Sequence, residues 1–549
     1  MSTVMNDPRS SASAPGFLSK ERTIAGPGFN RWLVPTAALA IHLCIGMAYG
    51  FSVFWLPMTH LLSNPDLATC KDLGFMSALT TTSCNWSVPQ VTHIFETFIA
   101  MLGISAAIWG GWLEHAGPRK AGFIAAMCWG GGLVVGGIGV SIHQLWLVYL
   151  GCGVLGGVGQ GLGYITPVST LIKWFPDRRG MATGFAIMGY GGGAMIGAPL
   201  AVMLMKNFAP GGTQGVASTL MVMGAIYFVV MSIGAFGFRI APTGWKPAGW
   251  KAPASGSANA MITQRHVHLD RAWKTPQFWL IWAVLCLNVT AGIGVISMAS
   301  PMFQDVFGQR LLGLDSGAAM DAAQKARVVA AAAGLVGLIS LFNSVGRLFW
   351  ASLSDKLGRK VTYSIFFVLG MALYSALPTL GHLGLAGVFV ITVCVILTMY
   401  GGGFATVPAY LADIFGTQMV GAIHGRLLTA WSVAGIVGPL VIAAVREAQL
   451  SSGVAGALVY DRTLYLMAGL LFVGLICNLL VRPVKSSVPM TDEELAIERA
   501  KSHEGGAAAQ ADSAARGTFG FTGVLAWLGV GVPFLIGLFI ALQKAVALF

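Results

Sequence analysis

Arg347 is the residue whose position most strongly suggests chemistry. It lies within the long apolar stretch 328–353, about two helical turns before Asp355 at the end of that stretch. At about 1.5 Å per residue, a helix would place the guanidinium roughly 12 Å inside an apolar layer. A charge at that depth costs roughly 2.5–3.5 kcal/mol, which disfavours a side chain that only snorkels to the surface. Because a guanidinium fits a carboxylate bidentately, we predict that Arg347 binds an anion.

Glu96 is a second charged residue in an apolar stretch. His93 precedes it by one helical turn, so the two side chains share a helix face. This pair is a candidate for proton coupling. The alternatives are a carboxylate at the outer rim or an ion-pair partner for a neighbouring helix. For Arg426 we expect a structural or gating role, and for His42 and His424 packing or hydrogen bonding.

Large aromatic residues recur beside glycine-rich runs. The runs at 161–163, 191–193 and 401–403 would let helices approach closely. Rings among them would wall a small site, and phenol groups would supply hydrogen bonds. We therefore predict that a set of aromatic residues contacts the ligand: Tyr49, Tyr164, Tyr190, Tyr400, Phe404 and Trp431.

The composition identifies the environment of these residues. Of 549 residues, 55% are hydrophobic and only 10% are charged, against about 25% charged in soluble domains. A soluble enzyme, a disordered chain and a nucleic-acid-binding domain are thereby excluded. The net charge of +12 is explained by basic cytoplasmic loops rather than by nucleic acid. We predict an all-α polytopic membrane protein embedded in a lipid bilayer, because lipid requires backbone groups to be satisfied internally.

Apolar segments long enough to cross a bilayer need roughly 20 residues. Twelve such spans and a thirteenth are predicted, numbered here as spans 1 to 13: 32–58, 88–113, 121–140, 144–172, 181–205, 217–238, 276–303, 328–353, 361–380, 384–411, 422–445, 463–481 and 519–542.

The polar segments between the spans set the organisation and the orientation. Most of the 33 Lys and Arg residues fall on the side that carries the N-terminus, so we expect that terminus in the cytoplasm, in a bacterial inner membrane. We predict, in order, an N-terminal tail, a six-helix bundle, an inter-domain loop, a second six-helix bundle, a linker and an extra transmembrane helix: 1–31, 32–238, 239–275, 276–482, 483–518 and 519–549.

An internal repeat relates the two bundles. The end of span 2 at 110–120 matches the end of span 8 at 351–360, with Glu114 corresponding to Asp355. Spans 4 and 10, and spans 5 and 11, match at nearly the same offset. We therefore predict two pseudo-symmetric six-helix halves around a central cavity, an architecture that holds its substrate near the membrane midplane.

The repeated loop motif has a physical reason. An acid at a helix end, a glycine that turns the chain and a basic pair can form a cytoplasmic clamp that releases in another conformation. Its two copies occur at symmetric places, which favours gating over solvated topology charges. The predicted gating residues are Glu114, Arg119, Lys120, Asp355, Lys356, Arg359 and Lys360.

Cysteine and motif usage narrow the chemistry further. Cys70 and Cys84 share the first outer loop, where an oxidising compartment would allow a disulfide. The other cysteines lie in spans and are expected to pack there. We see no metal-ligand spacing, nucleophile–base set or phosphate loop. We therefore expect neither a metal nor a cofactor, and no enzyme.

Over residues 32–481 the repeat and the loop motif resemble the major facilitator superfamily, whose fold we expect. More narrowly, three strings resemble the oxalate/formate antiporter family: 173–180 after span 4, 275–279 before span 7 and 413–417 after span 10. The resemblance implies exchange or import of small carboxylates. The end of the chain, from Trp527, resembles single-span accessory subunits that accompany some of these transporters.

The resemblance also implies site residues. In the family's oxalate-transporting member, an Arg of span 8 and a Lys of span 11 bind the two carboxylates within an aromatic cage. Arg347 matches that Arg. Trp431 replaces the Lys, and Ala48 replaces a Gln of span 1. The positions that match cage aromatics are Tyr49, Tyr164, Tyr400 and Phe404.

The departure at Trp431 affects the expected substrate. With one cavity cation, a dianion would keep one charge unpaired in a low dielectric, which is costly. We therefore predict a secondary transporter of monocarboxylates such as formate, lactate or pyruvate, with proton symport and exchange both open. The alternatives are an oxalate/formate-type dicarboxylate antiporter and, from another class, a carboxylate sensor with a transporter fold.

Overall fold

The computed structural model describes residues 16–62, 73–209, 215–242, 244–250, 261–314, 319–454, 456–501 and 520–545. Within them the chain is nearly all helical, and thirteen helices are long and apolar enough to cross a membrane. This confirms the predicted spans. Their bounds are Arg31–Met58, Val88–Ala116, Pro118–Ser141, Leu145–Trp174, Arg179–Asn207, Val216–Gly237, Pro276–Leu311, Ala322–Leu357, Arg359–His382, Ala386–Phe415, Val420–Ser451, Leu458–Leu480 and Phe521–Gln543.

Three spans change their helical geometry along their length. Span 1 passes from α-helix to a 3₁₀ segment at Gly46–Phe54. Span 4 contains a π-helical segment at Tyr149–Leu155, and span 11 is divided after Val420–Leu427. Such irregular segments often occur at functional sites. The short helices outside the spans are Glu21–Thr23, Phe75–Ala78, Leu269–Ala272 and Asp492–Lys501.

The packing of the spans repeats between the halves. Span 3 packs on span 6 in the first half, as span 9 packs on span 12 in the second. Across the halves, span 5 packs on span 8 and span 2 on span 11. The helices that bring the halves together are therefore equivalent ones, as the repeat in the sequence requires.

Polar segments form a layer over the C-terminal end of span 2 and the N-terminal end of span 11. The predicted linker 483–518 contains the helix Asp492–Lys501, which the sequence analysis did not foresee. This helix docks through Glu498, whose Oε1 is 2.9 Å from His115 Nε2. Arg271 donates hydrogen bonds to both carboxylate oxygens of Glu494 and holds the pKa of that carboxyl below its usual range. The part of the linker at 502–518 lies outside the described residues.

The thirteenth span packs across the line where the halves meet. Its Gly537 lies against the backbone of span 5, and its Ala541 lies against Gly337 of span 8. At its other end, Trp527 Nε1 donates a hydrogen bond to the Trp32 carbonyl oxygen at 3.2 Å. The helix thus touches spans 1, 5 and 8, which belong to both halves.

The cysteines behave differently inside and outside the spans. Cys84 forms a disulfide. Its expected partner Cys70 lies outside the described residues, so that pairing stays a prediction. The free cysteines are Cys44, Cys128, Cys152, Cys286, Cys394 and Cys477, all within spans.

Candidate functional site: a buried cation in an aromatic cage

Arg347 projects from span 8 into the centre of the bundle and is fully buried. Its Nε donates to Asn343 Oδ1 at 3.3 Å, and its Nη1 to the Ile187 carbonyl oxygen of span 5 at 3.4 Å. Both hydrogen bonds are long. In the part of the chain that the structure describes, no carboxylate forms an ion pair with it, and its Nη2 has no acceptor. The residue therefore does not snorkel, and its charge is uncompensated.

Two glycines leave space for the Arg347 side chain, because neither carries a Cβ. A Cβ on Gly191 of span 5 would lie 3.1 Å from Arg347 Nε. A Cβ on Gly401 of span 10 would lie 3.0 Å from Arg347 Cγ and 2.2 Å from the Asn343 carbonyl oxygen. Larger residues at either place would push the helices apart. The glycine-rich runs thus let spans 5 and 10 close around the Arg347 side chain.

Aromatic rings from both halves enclose the guanidinium. Arg347 Cζ lies 5.4 Å from the ring centroid of Tyr190 and 5.3 Å from that of Phe404, distances typical of cation–π contacts. Trp431 packs edge-on against Phe404, at 4.8 Å between centroids, and against Tyr164, at 5.3 Å. We call this set the aromatic cage: Tyr49, Tyr164, Tyr190, Tyr400, Phe404 and Trp431.

The cage includes every aromatic residue singled out from the sequence, and it joins the two halves. Tyr49 Oη of span 1 lies 2.9 Å from Tyr400 Oη of span 10. Five of the six rings are at most 2% exposed, and Tyr49 is partly buried. The cage is therefore closed, and a ligand can reach Arg347 only if the helices or the rings move.

Several buried donors in the centre of the bundle have no hydrogen-bond acceptor among the described residues. They are Arg347 Nη2, Tyr164 Oη, Trp431 Nε1 and Asn288 Nδ2. Leaving such a group unpaired costs roughly 1–3 kcal/mol, and more for a charged one. Donors without acceptors, grouped around a cation, match the needs of a bound anion.

Sequence reasoning missed the polar residues that support the cage. Asn343 lies one turn before Arg347 and holds its Nε. Gln160 of span 4 donates to Tyr190 Oη at 2.8 Å and fixes that ring. Asn288 lies close to Gly403 of span 10. An Asn or Gln inside an otherwise apolar span could have identified these positions in the sequence. Such an amide is costly in a membrane unless it has hydrogen-bond partners.

Two histidines lie beside the cage, against Tyr164. The His42 ring is 5.3 Å from that of Tyr164, and both of its nitrogens contact carbonyl oxygens. The His424 ring is 5.9 Å from the same tyrosine, and neither of its nitrogens has a partner within the described ranges. Within the described residues, His42 is therefore packed and hydrogen-bonded, whereas His424 is packed without a hydrogen bond.

The other intramembrane charges lie away from Arg347. His93 Nδ1 is 2.8 Å from Glu96 Oε2, and these side chains are 48% and 38% exposed. The expected pair thus forms, at the rim rather than in the cage. Arg426 donates to Asp270 Oδ1 at 3.1 Å and to the Leu269 carbonyl oxygen at 3.2 Å, in the polar layer over the ends of spans 2 and 11.

The two copies of the loop motif connect the halves at the C-terminal ends of spans 2 and 8. Asp355 of span 8 accepts hydrogen bonds from the backbone N–H groups of Gly180 and Met181, at the start of span 5. Glu114 of span 2 accepts one from Gly421 N at the start of span 11, at 2.9 Å. Each carboxylate meets the positive end of a helix dipole. The motif acids therefore join the two halves at this end of the bundle, and their gating role stays a prediction.

Some basic residues near the motif pair with acids, and others donate to carbonyl oxygens at helix ends. Arg359 contacts Asp355 and donates to Asp413 Oδ2 at 3.2 Å. Lys360 donates to the Val481 carbonyl oxygen, beyond the end of span 12. The first copy differs, because Lys173 takes the place of the motif arginine and pairs with Glu114 at 2.7 Å.

The remaining motif residues lie apart from the acids. Arg119 donates to the Phe17 carbonyl oxygen at 3.2 Å. Lys120 lies over the ring of Trp112, and Lys356 is exposed. No group of His, Cys, Asp or Glu that could hold a metal ion occurs within the described ranges.

Together these features define a class of protein. Two equivalent six-helix halves meet around a buried cation and are clamped at one end through helix termini. This is the architecture of a membrane transporter built from parallel repeats, with its site at the repeat interface.

The chain belongs to the Major Facilitator Superfamily, whose family model matches residues 38–439. It is 26% identical to the oxalate:formate antiporter of Oxalobacter formigenes, over 71% of this chain and 82% of that protein. It is 23% identical to the apicoplast pyruvate carrier 1 of Toxoplasma gondii, over 70% and 78%. Among solved structures, the fucose:proton symporter of E. coli shares the fold, with a TM-score of 0.55 at 13% identity, over 82% of this chain and all of that one.

Proposed function

We propose that this protein is a secondary transporter of small monocarboxylates, and that Arg347 binds the carboxylate. The observation that carries the proposal is a fully buried guanidinium with no acidic partner among the described residues and with one nitrogen that has no acceptor. A carboxylate would pair with this charge and accept from Nη2. Tyr164 Oη and Trp431 Nε1 would supply further hydrogen bonds.

Charge balance favours one carboxylate group over two. Arg426, a cation of span 11, is held by Asp270 in the cytoplasmic layer and does not join Arg347. Trp431 occupies the cage wall on the same span. A dicarboxylate would therefore bring a second negative charge into a low dielectric without a partner. The indole of Trp431 instead suits the short apolar tail of a monocarboxylate larger than formate, such as lactate or pyruvate.

The similar proteins support a carboxylate substrate, but they include both monocarboxylate and dicarboxylate transporters by name. Their names include a pyruvate carrier, human monocarboxylate transporter 11 and an oxalate:formate antiporter. Exchange of a dicarboxylate, as in the last of these, is the second candidate function. The transporter fold and the buried, unpaired cation between its two halves together favour transport over a sensing role.

We infer that transport proceeds by alternating access. The cage is buried, and the clamps of Glu114 and Asp355 close the cytoplasmic end, so the halves must separate there to release a ligand. The predominance of Lys and Arg on the N-terminal side supports a cytoplasmic N-terminus in a bacterial inner membrane. Glu96 and His93 are the candidates for proton coupling that the sequence offers.

Counterflow in proteoliposomes tests the proposal. Vesicles would be loaded with unlabelled formate, acetate, lactate, pyruvate, oxalate or malonate, and the entry of labelled pyruvate would be followed. We expect exchange with the monocarboxylates, lost in Arg347→Gln and kept in Arg426→Gln. Exchange confined to oxalate or malonate would overturn the monocarboxylate assignment. Binding without any flux would indicate a sensor.

A further inference from the structure

His42 of span 1 has an unusual hydrogen-bonding environment beside the cage. Its side chain is fully buried. Its Nδ1 lies 2.6 Å from the Ala186 carbonyl oxygen of span 5, and its Nε2 lies 3.2 Å from the Tyr164 carbonyl oxygen of span 4. Both nitrogens of one imidazole therefore face backbone acceptors.

This geometry fits one protonation state. A carbonyl oxygen only accepts hydrogen bonds, whereas a neutral imidazole carries a proton on one of its two nitrogens. Either neutral tautomer of His42 would direct a nitrogen lone pair at a carbonyl oxygen. The imidazolium, with a proton on each nitrogen, donates to both. The surroundings of His42 are thus arranged to bind a second proton.

Burial and the neighbouring positive charge of Arg347 both oppose protonation of His42. Full burial disfavours the imidazolium, and Arg347 is close enough for its positive charge to act on the ring. The titratable groups that face His42 from the other spans are Tyr164, Tyr190 and His424. None of these is negative at neutral pH. A carboxylate on Arg347 would supply the missing negative charge.

We propose that His42 carries a proton that is co-transported with the carboxylate, an inference that rests on the proposed function. With substrate on Arg347, a ring nitrogen of His42 takes one proton from water on the side of entry. When the substrate leaves, that proton returns to water on the side of release. Coupling between two binding sites is reciprocal. The bound carboxylate therefore raises the proton affinity of His42, and the bound proton raises the carboxylate affinity by the same factor.

The outer pair of Glu96 and His93 is less suited to this role. These side chains bond to each other and are 38% and 48% exposed. The Glu96 charge is already met by His93, which weakens its coupling to an anion in the cage. His42 lies against the cage itself, in contact with Tyr164.

The experiment compares exchange with gradient-driven uptake in proteoliposomes. Labelled pyruvate would be followed in homoexchange at equal pH and in uptake driven by an inward proton gradient. We expect His42→Gln to keep exchange and to lose stimulation by the gradient. His424→Gln is the matched control, because that buried imidazole near Tyr164 makes no such pair of contacts with the residues that the structure describes. It should keep both activities.

Pyruvate affinity gives a second readout. As the pH rises through the value at which substrate-bound His42 loses its proton, wild-type affinity should fall by about 5–150-fold, the usual size of coupling between sites. In His42→Gln the affinity should be independent of pH. If that variant does not fold, proton uptake from unbuffered detergent solution on pyruvate binding is measured instead. Uptake that persists in Glu96→Gln and in His424→Gln supports His42, and its absence in the wild type overturns the proposal.

The outcomes separate the two proposals. Failure of the wild type to exchange any monocarboxylate would overturn the proposed function. Exchange in the wild type without stimulation by the gradient, or with stimulation kept in His42→Gln, would overturn the role of His42 alone. Loss of stimulation in Glu96→Gln, with His42→Gln unaffected, would place the proton on the outer pair.

Discussion

Glu114 and Asp355 occupy equivalent positions in the two halves and make equivalent contacts across the interface. Glu114 Oε1 accepts from Gly421 N at 2.9 Å, and Asp355 Oδ1 accepts from Gly180 N at 2.8 Å. Each carboxylate lies at the start of a helix that belongs to the other half. The two halves are thus joined at this end by a pair of symmetric charge–dipole contacts.

The clamp predicts a shift of conformation when its acids are neutralised. Asp355→Asn would lose charge-assisted hydrogen bonds worth about 1.5–3 kcal/mol, so the cytoplasmic end should open more often. A Thr417→Cys reporter, which lines a cytoplasmic cavity of about 360 Å³, should then react faster with a maleimide. Asp270→Asn, in an exposed pair with Arg426, is the control and should change the rate little. Equal rates in both variants would contradict the clamp.

Arg347→Lys tests the fork geometry of the guanidinium. An ammonium keeps the charge but loses the planar pair of donors, as well as the stacking with Tyr190 and Phe404. We expect pyruvate affinity to fall by about tenfold or more, the equivalent of about 1.4 kcal/mol. Titration of Trp fluorescence in detergent measures the affinity. Unchanged affinity would show that the charge alone is recognised.

Trp431→Lys tests the charge of the substrate. A second cation at the cage wall would pair with the second carboxylate of a dianion. In counterflow, the rates of exchange with oxalate and malonate should therefore rise relative to the rate with pyruvate. Trp431→Gln removes the ring without adding charge and serves as the comparison. The same gain in both variants would mean that space in the cage, and not charge, decides which carboxylate is exchanged.

Gly537→Leu tests the contact of the thirteenth span. A Cβ at Gly537 would lie 2.8 Å from Ile196 Cγ1 and 3.3 Å from the Met195 carbonyl carbon, so a large side chain there forces the helix away from span 5. Overpacking of this kind costs about 1–3 kcal/mol, and the melting temperature in detergent should fall. Gly531→Leu is the matched control, since none of the described residues lies within 4 Å of a Cβ built there. Equal melting temperatures would indicate that the helix is not docked here.

The sequence alone determined the membrane class, the number of spans and the two-half repeat. These properties depend on local hydrophobicity and on repeated positions along the chain. It also indicated Arg347 and the six aromatic residues that the structure brings together as the cage. The high cost of a charge in an apolar span makes such a residue conspicuous without any knowledge of its neighbours.

Only the tertiary structure decided which groups meet. The contact of Tyr49 with Tyr400, the two carbonyl oxygens around His42 and the pairing of Lys173 with Glu114 join residues that are far apart in the chain. The docking of the thirteenth span on spans 5 and 8 is of the same kind. Such contacts depend on how each helix is rotated and tilted. Packing against neighbouring helices sets that rotation and tilt, and a pattern along one helix does not contain it.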